Sequence, residues 1–311
     1  MADEPIGLAP TLELTLSPAG AVEALERVLR EGLDPEQCPA RANIPVPAGE
    51  LLLMPAAAGR YAGVKIAGVA PANPARGLPR ITGSYLLLDG PTLRPLALLD
   101  GAALTALRTP AVTALALGRL ATPDAEHLVL FGTGPQAYGH LEALAAIRPL
   151  TRLTVVGRSA VRAEELCARG RALGLEAVAG GPGAVAGADL VVCCTTARTP
   201  LFDGALVPDR AVVAAVGSHE PGAREVDGAL VRRSALYTES RATALREAGD
   251  LLMAFREVGE AVPASLANLS ELVNDGAVAP LDRPRFFKSV GMAWQDLAVA
   301  ARQYECHPNC V

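Results

Sequence analysis

Apolar positions change rhythm twice along this chain of 311 residues. Near the start, Ser17-Pro18 reads as an N-cap followed by proline at the first helical position. A helix is predicted from there over Val22, Leu25, Val28 and Leu29, with Gly32 ending it. From Leu51 to Asp100 the pattern becomes short apolar runs broken by turn residues, which predicts strands. Tyr85–Leu88 and Leu96–Leu99 flank Asp89-Gly90-Pro91 and read as a hairpin or meander with a turn longer than two residues. Pro71, Pro74, Gly77 and Pro79 mark a structured loop between strands.

Beyond Ala102 the rhythm alternates. A long Ala/Leu-rich helix is expected over Ala102–Leu120, then a buried strand at Leu128–Phe131 and a helix from Gln136 to Ile147. A strand at Leu153–Val156, a helix at Ala160–Leu173 and a short strand at Ala177-Val178 follow. Asp189–Cys193 and Ala211–Val216 complete five strands. Strands and helices alternating at these lengths predict an α/β fold with a doubly wound parallel sheet. Phe287–Glu305 reads as one closing helix, apolar at Val290, Trp294, Leu297 and Ala301, that returns to the N-terminal region. The expected division is residues 1–117 with 288–311 in one α+β domain, and 118–287 in the Rossmann domain.

Composition narrows the partners. Half of the residues are hydrophobic but only 4% are aromatic, so the core must be built of Ala, Val and Leu. The net charge of −5 and the lack of a Lys/Arg cluster argue against nucleic acid. The acidic start Met1-Ala2-Asp3-Glu4-Pro5 lacks the apolar stretch of a signal peptide. No apolar run approaches the ~20 residues of a membrane span. Six dispersed cysteines suit a reducing, cytoplasmic setting. Cys306-His307-x-x-Cys310 has metal-like spacing, but three candidate ligands with no second cluster read as an ordinary polar tail; no metal is expected.

Four groups of residues carry chemistry. Gly132-Thr133-Gly134-Pro135-Gln136-Ala137 follows an apolar strand and opens a helix, the G-x-G-x-x-A form of a dinucleotide turn. Gly132 permits the tight turn, Gly134 the close approach of a pyrophosphate, and Ala137 the packing of helix on sheet. Arg158-Ser159 ends the next strand, where an NAD-selective site carries an acid. Arg158 paired with a 2′-phosphate, and Ser159 donating to it, would favour NADP(H) over NAD(H); the alternative has Arg158 stacking on adenine or facing water. Thr195 and Thr196, after Cys194, end the fourth strand where a cofactor ribose would lie, or simply cap a turn. Arg41, Lys65 and Arg108 are cations in apolar surroundings. A carboxylate substrate needs such Arg forks and a Lys point charge, but alone they also fit exposed surface cations.

Further stretches tie these cations together: Met54-Pro55, Tyr61-Ala62-Gly63-Val64-Lys65, Pro71-x-Asn73, Leu104–Ala111, Val216-Gly217 with Pro221 and Glu225, and Lys288–Gly291 with Asp296. With the glycine turn, in this order and spacing, the chain resembles the ornithine cyclodeaminase/mu-crystallin family over nearly its whole length. The resemblance implies a homodimer built through a substrate-binding N-terminal domain, a Rossmann domain, and an active site in the cleft between them. It implies that Arg41, Lys65 and Arg108 hold a substrate carboxylate, with Lys65 assisting proton transfer at nitrogen. It also assigns Thr109, Val216, Gly217, Ser289 and Gly291 to the cofactor site.

Three departures bear on substrate. Cyclodeaminases carry acids at the positions matching Leu52 and His219, where they would handle a second amine. Leu52 can neither accept from a distal ammonium nor act as a base. His219 could be a base or a solvent-facing loop residue. Arg80 replaces a small hydroxyl residue and either adds a cation for a second anionic group or points to solvent. The expected activity is therefore an NAD(P)H-dependent oxidoreductase acting on the C–N bond of a small amino or imino acid. The alternatives are a cyclodeaminase with recycled NAD and a non-enzymatic NADPH-dependent ligand-binding protein.

Overall fold

The computed structural model describes residues 9–275 and 280–307. In chain order the elements are α1 (Pro18–Arg30), β1 (Ala42–Val46), β2 (Gly49–Ala58), β3 (Tyr61–Val69), β4 (Ile81–Asp89), β5 (Pro95–Asp100) and α2 (Gly101–Leu120). Then come β6 (His127–Phe131), α3 (Pro135–Ile147), β7 (Arg152–Val156), α4 (Ala160–Ala172), β8 (Glu176–Ala179), β9 (Leu190–Cys193) and β10 (Val212–Ala215). The last are α5 (Gly228–Arg233), β11 (Ala235–Thr238), α6 (Arg241–Glu247), α7 (Gly249–Arg256), β12 (Ala267–Asn268), α8 (Leu269–Asn274), β13 (Arg285–Lys288) and α9 (Ala293–Cys306).

Contacts divide the chain into two compact units. The first holds residues 1–28, 37–108 and 292–311, and the second 29–36 and 109–291. The divisions at 108/109 and 291/292 fall nine residues before and four residues after the 117/118 and 287/288 expected from sequence, the first of them inside α2, and residues 29–36 group with the second unit rather than the first.

In the first unit, β1 to β5 form one antiparallel sheet in chain order. The strands are longer than the sequence pattern suggests, because Gly59 in the β2–β3 turn takes a left-handed φ of 56° and closes a ladder running from Glu50–Val69 to Ala58–Tyr61. Leu52, Met54 and Ala56 of β2 share a buried face with Tyr61, Lys65 and Ala67 of β3 and with Tyr85 and Leu87 of β4. Helix α9 packs on this sheet, with Trp294 and Leu297 buried. The expected β4–β5 hairpin is present, Tyr85 pairing with Leu99.

The second unit is an eight-stranded parallel sheet in the order β12-β11-β13-β10-β9-β6-β7-β8. Strand order reverses between β6 and β9, which makes their carboxyl ends the crevice of a doubly wound sheet. Its core is small-residue aliphatic, with Val129, Val191, Val213 and Ala215 buried and Phe131, Phe202, Phe255 and Phe286 the aromatic exceptions.

One element is corrected. The single closing helix expected over Phe287–Glu305 is a strand, a turn and a helix that starts only at Ala293. Arg285–Lys288 is buried at all four positions and sits between β10 and β11 in the sheet. A short apolar run of that length fits a buried strand or a helix segment equally well.

Candidate active site

In the first unit, Lys65 projects from the covered face of β3 and is 3% exposed. Its ammonium donates to Thr105 Oγ1 at 3.1 Å and to Asp296 Oδ1 at 2.9 Å, and lies 2.8 Å from Asp296 Oδ2. Arg108, two turns into α2, donates from Nε to Asp296 Oδ1 at 3.3 Å and from Nη1 to Gln295 Oε1 at 2.9 Å. Asp296 is fully buried. Burial pulls the Lys65 ammonium down to about 8; Asp296 pushes it back up, while Arg108 and Arg41 add to the lowering. Arg41, half-buried just before β1, is thus close enough to be felt by Lys65.

Two buried cations, Lys65 and Arg108, meet one carboxylate here, with Arg41 near enough to act on Lys65. The surplus positive charge in a buried setting is what an incoming carboxylate would neutralise. A lysine near 8 also holds a proton at neutral pH and can release it, as proton transfer requires. The walls are apolar: Leu52 is 8% exposed and Met54 3%, on the same face as Lys65. Tyr85 stands across the ladder from Lys65, its buried hydroxyl reaching over Gly63, where a side chain would collide with it.

In the second unit, strand register brings Val156, Phe131, Cys193, Ala215, Lys288 and Thr238 to one level. The residues that follow are Gly157-Arg158-Ser159, Gly132-Thr133-Gly134, Cys194-Thr195-Thr196, Val216-Gly217 and Ser289. Nearly every residue expected at a cofactor therefore lies just past one edge of the sheet; Thr109 is instead buried in α2. Gly132 has a φ of 116°, and a Cβ there would sit 2.8 Å from Cys194 O. Gly134 caps α3 with Pro135 next and Gln136 after it, and no side chain caps that end. The uncapped N–H groups and the open space over Gly134 fit a pyrophosphate. Arg158 and Ser159 are exposed, and the Ser159 hydroxyl accepts from Arg162 N at 3.4 Å. Its own proton remains free to donate.

Buried carboxylates with no role assigned from sequence hold these loops. Glu225 accepts from Thr195 N and Oγ1, each at 2.7 Å, and from Gly217 N at 2.7 Å. Burial raises its carboxyl, with Lys288 and Thr195 opposing. Asp250 accepts from Glu225 N and Val226 N and pairs with Lys288 at 2.8 Å. Glu239 accepts from Ser289 Oγ, Val290 N and Gly291 N between 2.8 and 2.9 Å, so the donors of Ser289 and Gly291 point into the protein. Gln295 was not singled out from sequence, and Asp296 was named only as a position shared with the family; inside the apolar helix expected over Phe287–Glu305 nothing marks it as facing two cations.

Other expected residues are less gathered. Arg80 is exposed and precedes β4, outside the strand. His219 is exposed in the loop after β10, and Thr196 is exposed after β9. The Cys306-His307-x-x-Cys310 segment ends outside the described residues. Among the described residues no three His, Cys, Asp or Glu side chains gather as a metal site, and no helix is long and apolar enough to cross a membrane.

Residues 12–308 match the ornithine cyclodeaminase/mu-crystallin family. The chain is 41% identical over 262 residues to a Delta(1)-pyrroline-2-carboxylate/Delta(1)-piperideine-2-carboxylate reductase of Azospirillum brasilense, covering 84% of this chain and 82% of the relative. It superposes on the Thermococcus litoralis Delta(1)-pyrroline-2-carboxylate reductase solved with NADH and L-proline, with a TM-score of 0.87, 30% identity and 95% and 97% of the two chains covered. It also superposes on an archaeal alanine dehydrogenase dimer with bound NAD, with a TM-score of 0.88, 27% identity and 95% of each chain covered.

Proposed function

This chain belongs to the ornithine cyclodeaminase/mu-crystallin family, and we propose that it reduces the C=N bond of a small cyclic imino acid with a nicotinamide dinucleotide, forming the corresponding amino acid. The observation that carries this reading is the buried meeting of Lys65, Arg108 and Asp296 beside Arg41. Arg41 and Arg108 hold the substrate carboxylate. The reduced dinucleotide, when bound, supplies the hydride that adds to the imine carbon. Lys65 gives its proton to the imine nitrogen and is reprotonated from solvent. Positioning and charge complementarity provide most of the rate.

The apolar wall of Leu52 and Met54 suits an aliphatic ring and offers nothing to a distal ammonium, which weighs against a diamine substrate. Ammonia release from ornithine or lysine without added cofactor would overturn that preference. His219, exposed as it is, is kept as a second candidate in proton exchange, and Arg80 as a contact for a second anionic group.

The test is NAD(P)H oxidation over cyclic 2-carboxy imines, and over α-keto acids with ammonia or methylamine. Lys65→Met is expected to lower turnover at least about a thousandfold, within the range assigned to acid–base groups, while dinucleotide binding by fluorescence persists. Near-normal turnover in that variant rejects the proton role.

NADP(H) is the proposed preference. Arg158 and Arg162 flank Ser159 at the start of α4, with no acid after β7 to meet a 2′-hydroxyl. Arg158→Ala should raise KM for NADPH about tenfold, equivalent to about 1.4 kcal/mol, and leave NADH unchanged; equal effects on both cofactors would sink the preference. The assembly we infer is a cytoplasmic homodimer formed through the first unit's sheet.

A further inference from the structure

We propose that Gln295 and Asp296, consecutive at the start of α9, are a positioning pair that divides two tasks: Asp296 keeps Lys65 charged and aimed, and Gln295 aims Arg108. The proposal rests on the reading of the site given above.

Hydrogen-bond geometry supports the division. Lys65 has three N–H bonds; Thr105 and Asp296 take two, at 3.1 and 2.9 Å, leaving one for a substrate nitrogen. Arg108 has five; one on Nε goes to Asp296 and one on Nη1 to Gln295. Among the described residues its Nη2 edge has no protein partner, which leaves a flat donor edge for a carboxylate. Gln295 Oε1 also accepts from Met292 N at 3.1 Å, so its amide is fixed at the helix start before Arg108 arrives.

Charge supports it as well. Burial, Arg108 and Arg41 all work against the Lys65 ammonium, and Asp296 opposes them through both its charge and its hydrogen bond. An amide at 295 lets Arg108 be held without a second anion, so the surplus positive charge stays available to substrate. A glutamate there would cancel it.

The composition points the same way. The chain has 28 Lys and Arg together, and only Lys65 and Lys288 are lysines. Both are buried against a carboxylate, Asp296 and Asp250 respectively. Lysine, unlike arginine, changes protonation readily when buried. This chain places both lysines against a buried carboxylate and uses arginine for all its other strong side-chain cations.

The two tasks predict different kinetic signatures. In Asp296→Asn the alkaline limb of kcat/KM for imine reduction should move toward acid by at least about one pH unit, with partial recovery of rate at lower pH. In Gln295→Met the limb should stay in place, while KM for the imino acid rises about tenfold and KM for the dinucleotide is unchanged. Lys65 is also read without turnover, by competitive acetylation with acetic anhydride across pH and mass spectrometry of its peptide; with two lysines in the chain the assignment is unambiguous. Acetylation of Lys65 should begin at lower pH in Asp296→Asn than in wild type. An unmoved limb or unmoved acetylation curve in folded Asp296→Asn overturns the proposal. If Asp296→Asn does not fold, Gln295→Met decides, and an unchanged KM for the imino acid or a shifted limb overturns the division. A wild-type protein inactive on every imine but with Lys65 titrating as described rejects the proposed function and leaves the pair's action on the lysine standing.

Discussion

Gly132 and Gly134 stand two positions apart in the turn after β6, yet a methyl group at each meets different surroundings. At Gly132 it would press on the Cys194 carbonyl from a backbone at φ 116°, whereas at Gly134, with φ −94°, nothing lies within 4 Å. Gly132→Ala should lower stability by about 1–3 kcal/mol through backbone strain. Gly134→Ala should melt like wild type but bind dinucleotide at least about tenfold more weakly, because its methyl occupies the phosphate approach. Thermal melts and fluorescence titrations of the two variants check the contrast, and equal melting temperatures would refute it. The need for glycine at both positions was legible in the sequence; that Cys194, just past β9, supplies the obstacle to Gly132 was not, since the contact spans 62 positions. Lys65 and Arg108 were likewise legible as cations in apolar runs. Their anchor was not, because Asp296 follows Lys65 by 231 positions and only the fold joins them.

Among elements, α2 and α3 show what a buried polar contact does within the second unit. His140 of α3 is fully buried, donating from Nδ1 to Gln136 O at 2.7 Å and accepting at Nε2 from Thr113 of α2 at 3.0 Å. Burial lowers its imidazole to about 4, with the Gln136 carbonyl pulling the other way. A base whose folded value lies below its unfolded 6.5 stabilises fully above 6.5, and that contribution is lost as pH falls toward about 4. The loss should approach about 3 kcal/mol. Denaturant midpoints should fall over that window in wild type and much less in His140→Asn; parallel declines would discard the assignment. Strongly periodic elements such as α2, α4 and β6 were readable in advance. β11, β12 and β13 were not, being two to four residues long and completed only by sheet neighbours far along the chain.

For the whole molecule, the first unit's sheet has a face that α9 does not cover. Ile44, Leu51, Ile66 and Leu98 are 42%, 36%, 45% and 37% exposed. Register sets Ile44 beside Leu51, Leu53 beside Ile66, Val64 beside Leu86, and Leu86 beside Leu98, so the apolar positions are contiguous across all five strands. Strands with one face buried and the other open to water normally alternate apolar with polar. Here both faces are apolar, which is why the sequence showed runs such as Leu51–Leu53 and Tyr85–Leu88 in place of clean alternation. Single exposed apolar residues need no explanation, but a contiguous apolar sheet face marks an interaction surface. A second copy of the same face is the simplest complement, and an isologous pair closes without leaving an open end. The archaeal alanine dehydrogenase with a similar fold is itself a dimer. Ile66→Glu places a charge at the centre of this face and should turn a dimer into a monomer by sedimentation velocity, with exposed apolar surface that binds a hydrophobic dye. A wild-type chain that sediments as a monomer at micromolar concentration, or an Ile66→Glu variant that remains a dimer, would move the interface elsewhere.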